Sequence, residues 1–80
     1  LILEYIDHDK QTTEICILAV RQNGLALQYV NPEILSKDIY RPAVRQNGLA
    51  IQFIKLEDLT KEICQIATEQ NPEALQFIKK

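Results

Sequence analysis

The sequence predicts an all-α chain, a short-period helical repeat array of the α-solenoid kind with two short helices and a turn per 24-residue unit. Three observations predict it. The stretch AVRQNGLALQYV at residues 19–30 returns as AVRQNGLAIQFI at 43–54 and as ATEQNPEALQFI at 67–78, shifted by 24 each time. Inside each copy the apolar residues recur at helical spacing. Each copy also carries the same punctuation: a hydroxyl residue ahead of the first helix with an acid in its first turn, and an Asn before the second. Two short helices, each apolar on one side, cannot bury those sides alone. Stacking copies makes a continuous core.

Eighty residues make one small domain or a piece of a larger one, with a thin core. Nine Lys and Arg against eleven Asp and Glu leave a formal charge of −2. That argues against the clustered basic surface that nucleic acid or an anionic membrane requires. No apolar run approaches the roughly 20 residues needed to span a bilayer, and no signal peptide is visible. The chain has no Met and opens in an apolar run, Leu1-Ile2-Leu3. It reads as a section of a longer array. Residues 1–11 are the tail of a preceding unit and a connector, 12–35 are unit 1, 36–59 unit 2, and 60–80 a truncated unit 3. The tail follows from the register, since Leu3, Glu4, Tyr5 and Ile6 align with Leu27, Gln28, Tyr29 and Val30.

Thr12, Ser36 and Thr60 share one repeat position, and Glu14, Asp38 and Glu62 follow two residues later. A hydroxyl that accepts from first-turn amides, with an acid near the positive helix end, marks a helix start. The first helix is therefore placed at about 13–22 and 61–70. Ile15, Leu18, Ala19 and Gln22 cluster on its core side, with Cys16 and Asn23 flanking and Ile17 and Arg21 pointing away. In unit 2, Pro42 falls where the other copies have Leu18 and Ile66. Proline inside a helix costs about 3 kcal/mol and disfavours αR for the residue before it. The first helix of unit 2 is expected to start late, near Arg41, with residues 37–40 irregular or in a 3₁₀ turn.

Asn23-Gly24 and Asn47-Gly48 look like helix stops, but the third copy reads Asn71-Pro72. Proline cannot take positive φ, yet it suits a first helical position. Asn23, Asn47 and Asn71 are thus expected to cap a second, short helix ending near Val30, Ile54 and Ile78. Ala26, Leu27 and Val30 share its apolar face, with equivalents Ala50, Ile51 and Ile54, then Ala74, Leu75 and Ile78. Asn31-Pro32-Glu33 repeats the signal and predicts one further turn, Pro32 to Leu35.

The two cysteines, Cys16 and Cys64, lie two units apart. Helices stacked about 8–10 Å apart separate them by roughly 16–20 Å, too far for a disulfide, which needs Cα atoms within about 7 Å. Tyr40 fills the slot between them, so the position reads as apolar. Reduced cysteines fit a soluble protein in a cytoplasmic environment.

The string A-V-R-Q-N-G-L-A-L-Q-Y-V, with acid-Ile-Cys before it and N-P-E-I-L after it, resembles a tandem repeat family of bacteria and giant viruses. That family is known only as a domain of unknown function, with a signature near A-V-[KR]-Q-N-G-x-A-L-x-[YF]. The likeness spans the chain. It is strongest at residues 19–35 and 43–54 and weakest at 68–73. It implies no activity, cofactor or catalytic residue. Members from organisms that live with or inside hosts point mildly to a role in interaction.

Asp7-His8-Asp9 is the only cluster of plausible metal ligands, but it is short and occurs in one unit, unlike the spaced ligand sets of zinc sites. His8 has no Ser or Cys nucleophile at a telling distance. No catalytic, cofactor or metal residue is therefore assigned. Gln22, Gln46 and Gln70 fall on the predicted core side, where an amide must be hydrogen-bonded, and are expected to tie backbone groups between helices or units. Asn23, Asn47 and Asn71 are caps. Gln28, Gln52 and Gln76 form an exposed row, bordered by Arg21 and Arg45, that is the candidate binding surface. The function expected is a non-catalytic protein-interaction scaffold, with an unknown protein partner and neither nucleic acid nor membrane. The alternative is a structural spacer in a larger multidomain protein. Leu1, Leu3, Tyr5 and Ile6 at one end and Phe77 and Ile78 at the other are expected to lie bare and to promote self-association.

Overall fold

The computed structural model describes residues 3–78, which form helices and turns with no strand among them. Three ten-residue α-helices carry the fold: α1 (Thr13–Gln22), α2 (Lys37–Gln46) and α3 (Lys61–Gln70). Their first residues lie 24 apart. Each is followed, after a single Asn, by a second short helix. These are 3₁₀ helices at Gly24–Tyr29 and Gly48–Phe53, and in the third copy a 3₁₀ turn, Pro72–Ala74, running into the four-residue α4 (Leu75–Ile78). Further 3₁₀ turns at Leu3–Tyr5, His8–Lys10, Pro32–Ile34 and Leu56–Asp58 fill the connectors. The turn expected over Pro32 to Leu35 thus ends one residue earlier, with Leu35 extended as its C-cap.

The α-helices pack side by side, α2 between α1 and α3, and the 3₁₀ helices form a second row beneath them. Each 3₁₀ helix touches the α-helix of its own unit and that of the next. The result is a slab 33 × 23 × 16 Å. Its core runs through the stack as Leu3, Cys16, Ala19, Val20, Leu27, Ile39, Tyr40, Ala43, Val44, Ile51, Ile63 and Ala67, all buried.

In the first two units the 3₁₀ form of the second helix suits its buried residues. At three residues per turn, residues i and i+3 eclipse. That puts Gly24, Leu27 and Val30 in one buried line, and Gly48, Ile51 and Ile54 in another. Leu75 aligns with Leu27 and Ile51 but is 57% exposed. The α-helix of the following unit covers the first two, and no described element covers Leu75.

Four expectations are corrected. First, α2 begins at Lys37, not near Arg41, and keeps Pro42 inside it. Pro42, having no amide hydrogen, forfeits one bond, to the carbonyl of the exposed residue Asp38. Burial of Ile39 and Val44, at about 1.5–3 kcal/mol each, offsets a proline penalty of about 3 kcal/mol. Second, the buried face of the α-helices is turned relative to the one expected. It holds Cys16, Ala19 and Val20, while Leu18 is 55% exposed and Gln22, Gln46 and Gln70 are exposed. The covering 3₁₀ helices set this face, because they lie against the 16–20 side of the helix. Third, Leu3 is buried, since the turn that carries it packs on the 3₁₀ helix Gly24–Tyr29. Leu1, expected beside it, lies outside the described residues, as does Lys80 at the far end. Fourth, Ser36 makes no side-chain cap. Its carbonyl instead accepts from the amides of Ile39 and Tyr40, each at 3.0 Å. Thr12 and Thr60 do cap, accepting from the amides of Ile15 and Ile63 at 3.2 Å.

Candidate functional site

The junction between units is built on one asparagine. The Asn23 amide closes α1 on the carbonyl of Ala19 at 2.9 Å, and its side-chain oxygen accepts from the amide of Leu25 at 3.0 Å. Asn47 does the same with Ala43 and Leu49. Asn71 does so with Ala67 and Glu73. One extended residue ends one helix and starts the next, so a single residue serves as the whole connector.

The glycine after that asparagine lies against the next unit. A Cβ on Gly24 would fall 2.4 Å from the carbonyl oxygen of Ala43, and one on Gly48 would fall 2.3 Å from that of Ala67. Neither glycine has positive φ. They are required by close approach, not by a left-handed turn. At the same place the side-chain oxygen of Gln46 accepts from the amide of Gly24, and that of Gln70 accepts from the amide of Gly48. The glutamines therefore reach back to the preceding unit from an exposed side of the helix. Gln22 also has an interacting partner.

Outward from this junction, Ile17, Arg21, Pro42, Arg45 and Gln46 line an open groove of about 550 Å³ between α1 and α2. Both arginines are exposed. The groove has an apolar wall in Ile17 and Pro42 and two guanidinium groups beside it. Arg21 and Arg45 share this groove, and Gln28 and Gln52 are not among its lining residues. In that row, Gln28, Gln52 and Gln76 are all exposed. The side-chain amides of the first two donate back to the carbonyls of Leu25 and Leu49 at 3.0 and 2.9 Å.

Three polar arrangements escaped the sequence reading. Gln11, placed in a polar connector, is 7% exposed. Its amide donates to the carbonyls of Ile6 and Tyr29, and its oxygen accepts from the amide of Asn31 at 2.7 Å and from the Cys16 thiol. The signal was present, because residues 35 and 59, its repeat equivalents, are leucines. Tyr40, buried, donates its hydroxyl to Asp58 at 3.0 Å, and burial together with that bond pushes its pKa up to about 12. Arg41 pairs with Glu62 at 2.8 Å, linking α2 to α3, and the guanidinium holds that carboxyl below its usual range. Cys16 and Cys64 are free thiols, the first buried and pushed up in pKa by that burial, the second half-buried. Among the described residues no cluster of His, Cys, Asp or Glu is arranged to hold a metal. Nor is any described helix long and apolar enough to cross a membrane.

The architecture defines a class, an all-α protein of tandem stacked helical units. The family follows from comparison: the profile described as a domain of unknown function (DUF4116) matches residues 1–35, 13–60 and 36–80. Those matches cover the whole chain, and the protein belongs to that family. No curated protein and no solved structure matches it.

Proposed function

We propose that the chain is a non-catalytic protein-interaction scaffold, in which the groove between α1 and α2 takes an extended, acidic segment of a partner protein. The observation that carries this is the placement of Arg21 and Arg45 at equivalent repeat positions along one groove, beside the apolar wall of Ile17 and Pro42. Two exposed guanidinium groups suit carboxylates, which they can hold in bidentate geometry. Helical stacks offer such rows of equivalent side chains as binding surfaces. Units 12–35, 36–59 and 60–80 then each contribute one position to the surface, and Glu69, at the third, sets the limit of the basic stretch. The exposed row of Gln28, Gln52 and Gln76 is the second candidate surface.

The alternative, a structural spacer, has its own support. The amide donors of Gln28 and Gln52 are turned back onto their own helices, which leaves that row fewer donors for a partner. A peptide-display selection separates the two readings. Under the scaffold reading, the intact chain enriches peptides rich in Asp and Glu, and R21E/R45E abolishes their capture while its circular dichroism stays unchanged. Loss on a separate Q28E/Q52E/Q76E variant alone would move the surface to the glutamine row. Absence of any enriched sequence favours the spacer.

A further inference from the structure

We infer that the residue after each junction asparagine decides whether another unit can dock, and that Pro72 closes the outer end of unit 3 to a further unit of this kind. The open form of the junction is defined twice, at Gly24 and Gly48. Each glycine supplies two things. It leaves room for the carbonyl of the next helix, which would lie 2.4 or 2.3 Å from any Cβ there. It also offers an amide hydrogen to the glutamine three residues beyond that carbonyl's alanine, Gln46 or Gln70. The matching partner is a helix that carries Ala-x-x-Gln, as Ala43 to Gln46 and Ala67 to Gln70 do.

Position 72 lacks both features. Proline has no amide hydrogen, and its ring fills the side that glycine leaves empty. The backbone leading into it does not redirect the ring. Asn23, Asn47 and Asn71 have φ of −153°, −152° and −153° and ψ of 103°, 109° and 108°. Residues 24, 48 and 72 each open the second helix of their unit from the same cap. An alanine carbonyl placed on unit 3 as Ala43 is placed on unit 1 would meet the proline ring, and its glutamine would find no donor. The same geometry excludes end-to-end stacking of two copies through this contact.

The test appends a second copy of residues 57–80 after Lys80, which continues the register. The chain is compared with the same extended chain carrying Pro72→Gly, using amide hydrogen exchange. With Pro72 retained, the appended helix is expected to exchange at least tenfold faster than α3. With Pro72→Gly it becomes protected to within a few-fold of α3. Protection of α1 to α3 in both chains reports that the parent stack has folded. Equal exchange of the appended helix in the two chains, whether fast or slow, overturns the inference. The reverse change supplies a second reading: Gly48→Pro in the 80-residue chain should lower the protection of α3 far more than that of α1, and an α3 that stays as protected as before also overturns it.

Discussion

At Gly24 and Gly48 the usual expectation for glycine in a helix is inverted. Replacing a helical glycine by alanine normally stabilises, by about 0.5–1 kcal/mol. Here the new methyl meets a backbone carbonyl that cannot swing aside. Gly48→Ala should lower stability by about 1–3 kcal/mol, the range of overpacked sites, in urea unfolding. Any gain in stability would remove the close-approach explanation. Gln11 gives a second inversion. Repeat consensus favours Leu there, as at Leu35 and Leu59. Gln11→Leu would leave the Asn31 amide and two carbonyls without their partner, so a loss of about 1–3 kcal/mol is expected. Tyr40 adds a pH dependence with a definite sign. Its folded pKa, about 12, lies above the ordinary value of 10.0, because burial and the Asp58 bond favour the neutral phenol. Its contribution is fully present below pH about 10 and is lost as pH rises toward about 12. Stability measured across that window should fall for the native chain and less steeply for Tyr40→Phe.

Among the elements, α2 sets local preference against packing most directly. Its proline opposes a helix, and its four buried residues, Ile39, Tyr40, Ala43 and Val44, require one. Pro42→Leu, which copies Leu18, should therefore raise stability by about 1–3 kcal/mol, with the upper figure the full penalty of a mid-helix proline. An unchanged or lower midpoint would mean that α2 is shaped around the ring. The sequence places the start of α2 too late, near Arg41 rather than Lys37, because there proline is weighed alone. Its neighbours in space, α1 and α3 on either side, were not available to the reading. The turned face of the α-helices has the same origin. A ten-residue helix with apolar residues at 15, 16, 17, 18, 19 and 20 has no unique apolar side, and the 3₁₀ helices that cover it make the choice.

For the whole molecule, α2 is the shared wall of both interhelical contacts, so it should unfold with everything else. Ile39→Ala, in that wall, is expected to lower the single unfolding transition by about 2–5 kcal/mol without splitting it. Two separate transitions by circular dichroism and exchange would show that units melt on their own. The ends of the slab carry exposed apolar side chains, Tyr5 at 77% and Leu75 at 57%. Concentration-dependent association in sedimentation velocity is expected from them, and it should weaken in Leu75→Glu. The junction contact cannot account for such association, since Pro72 stands in its place.

The sequence by itself determined the period, the placement of α1 and α3, the asparagine junctions and the membership of the core at Ala19, Ala43 and Ala67. These follow from local chemistry: a threonine side-chain cap ahead of α1 and α3, and a helix closed by an asparagine junction in all three units. Tertiary structure alone decided which side of each helix is buried, that α2 tolerates Pro42, that Gln46 and Gln70 bind backward to a glycine amide, and that Arg21 and Arg45 share a groove. All four depend on what lies across from a residue rather than beside it in the chain. The repeat makes each unit's interior legible, but the fit between units is a matter of carbonyls, amide hydrogens and missing methyl groups that only the packed stack brings together.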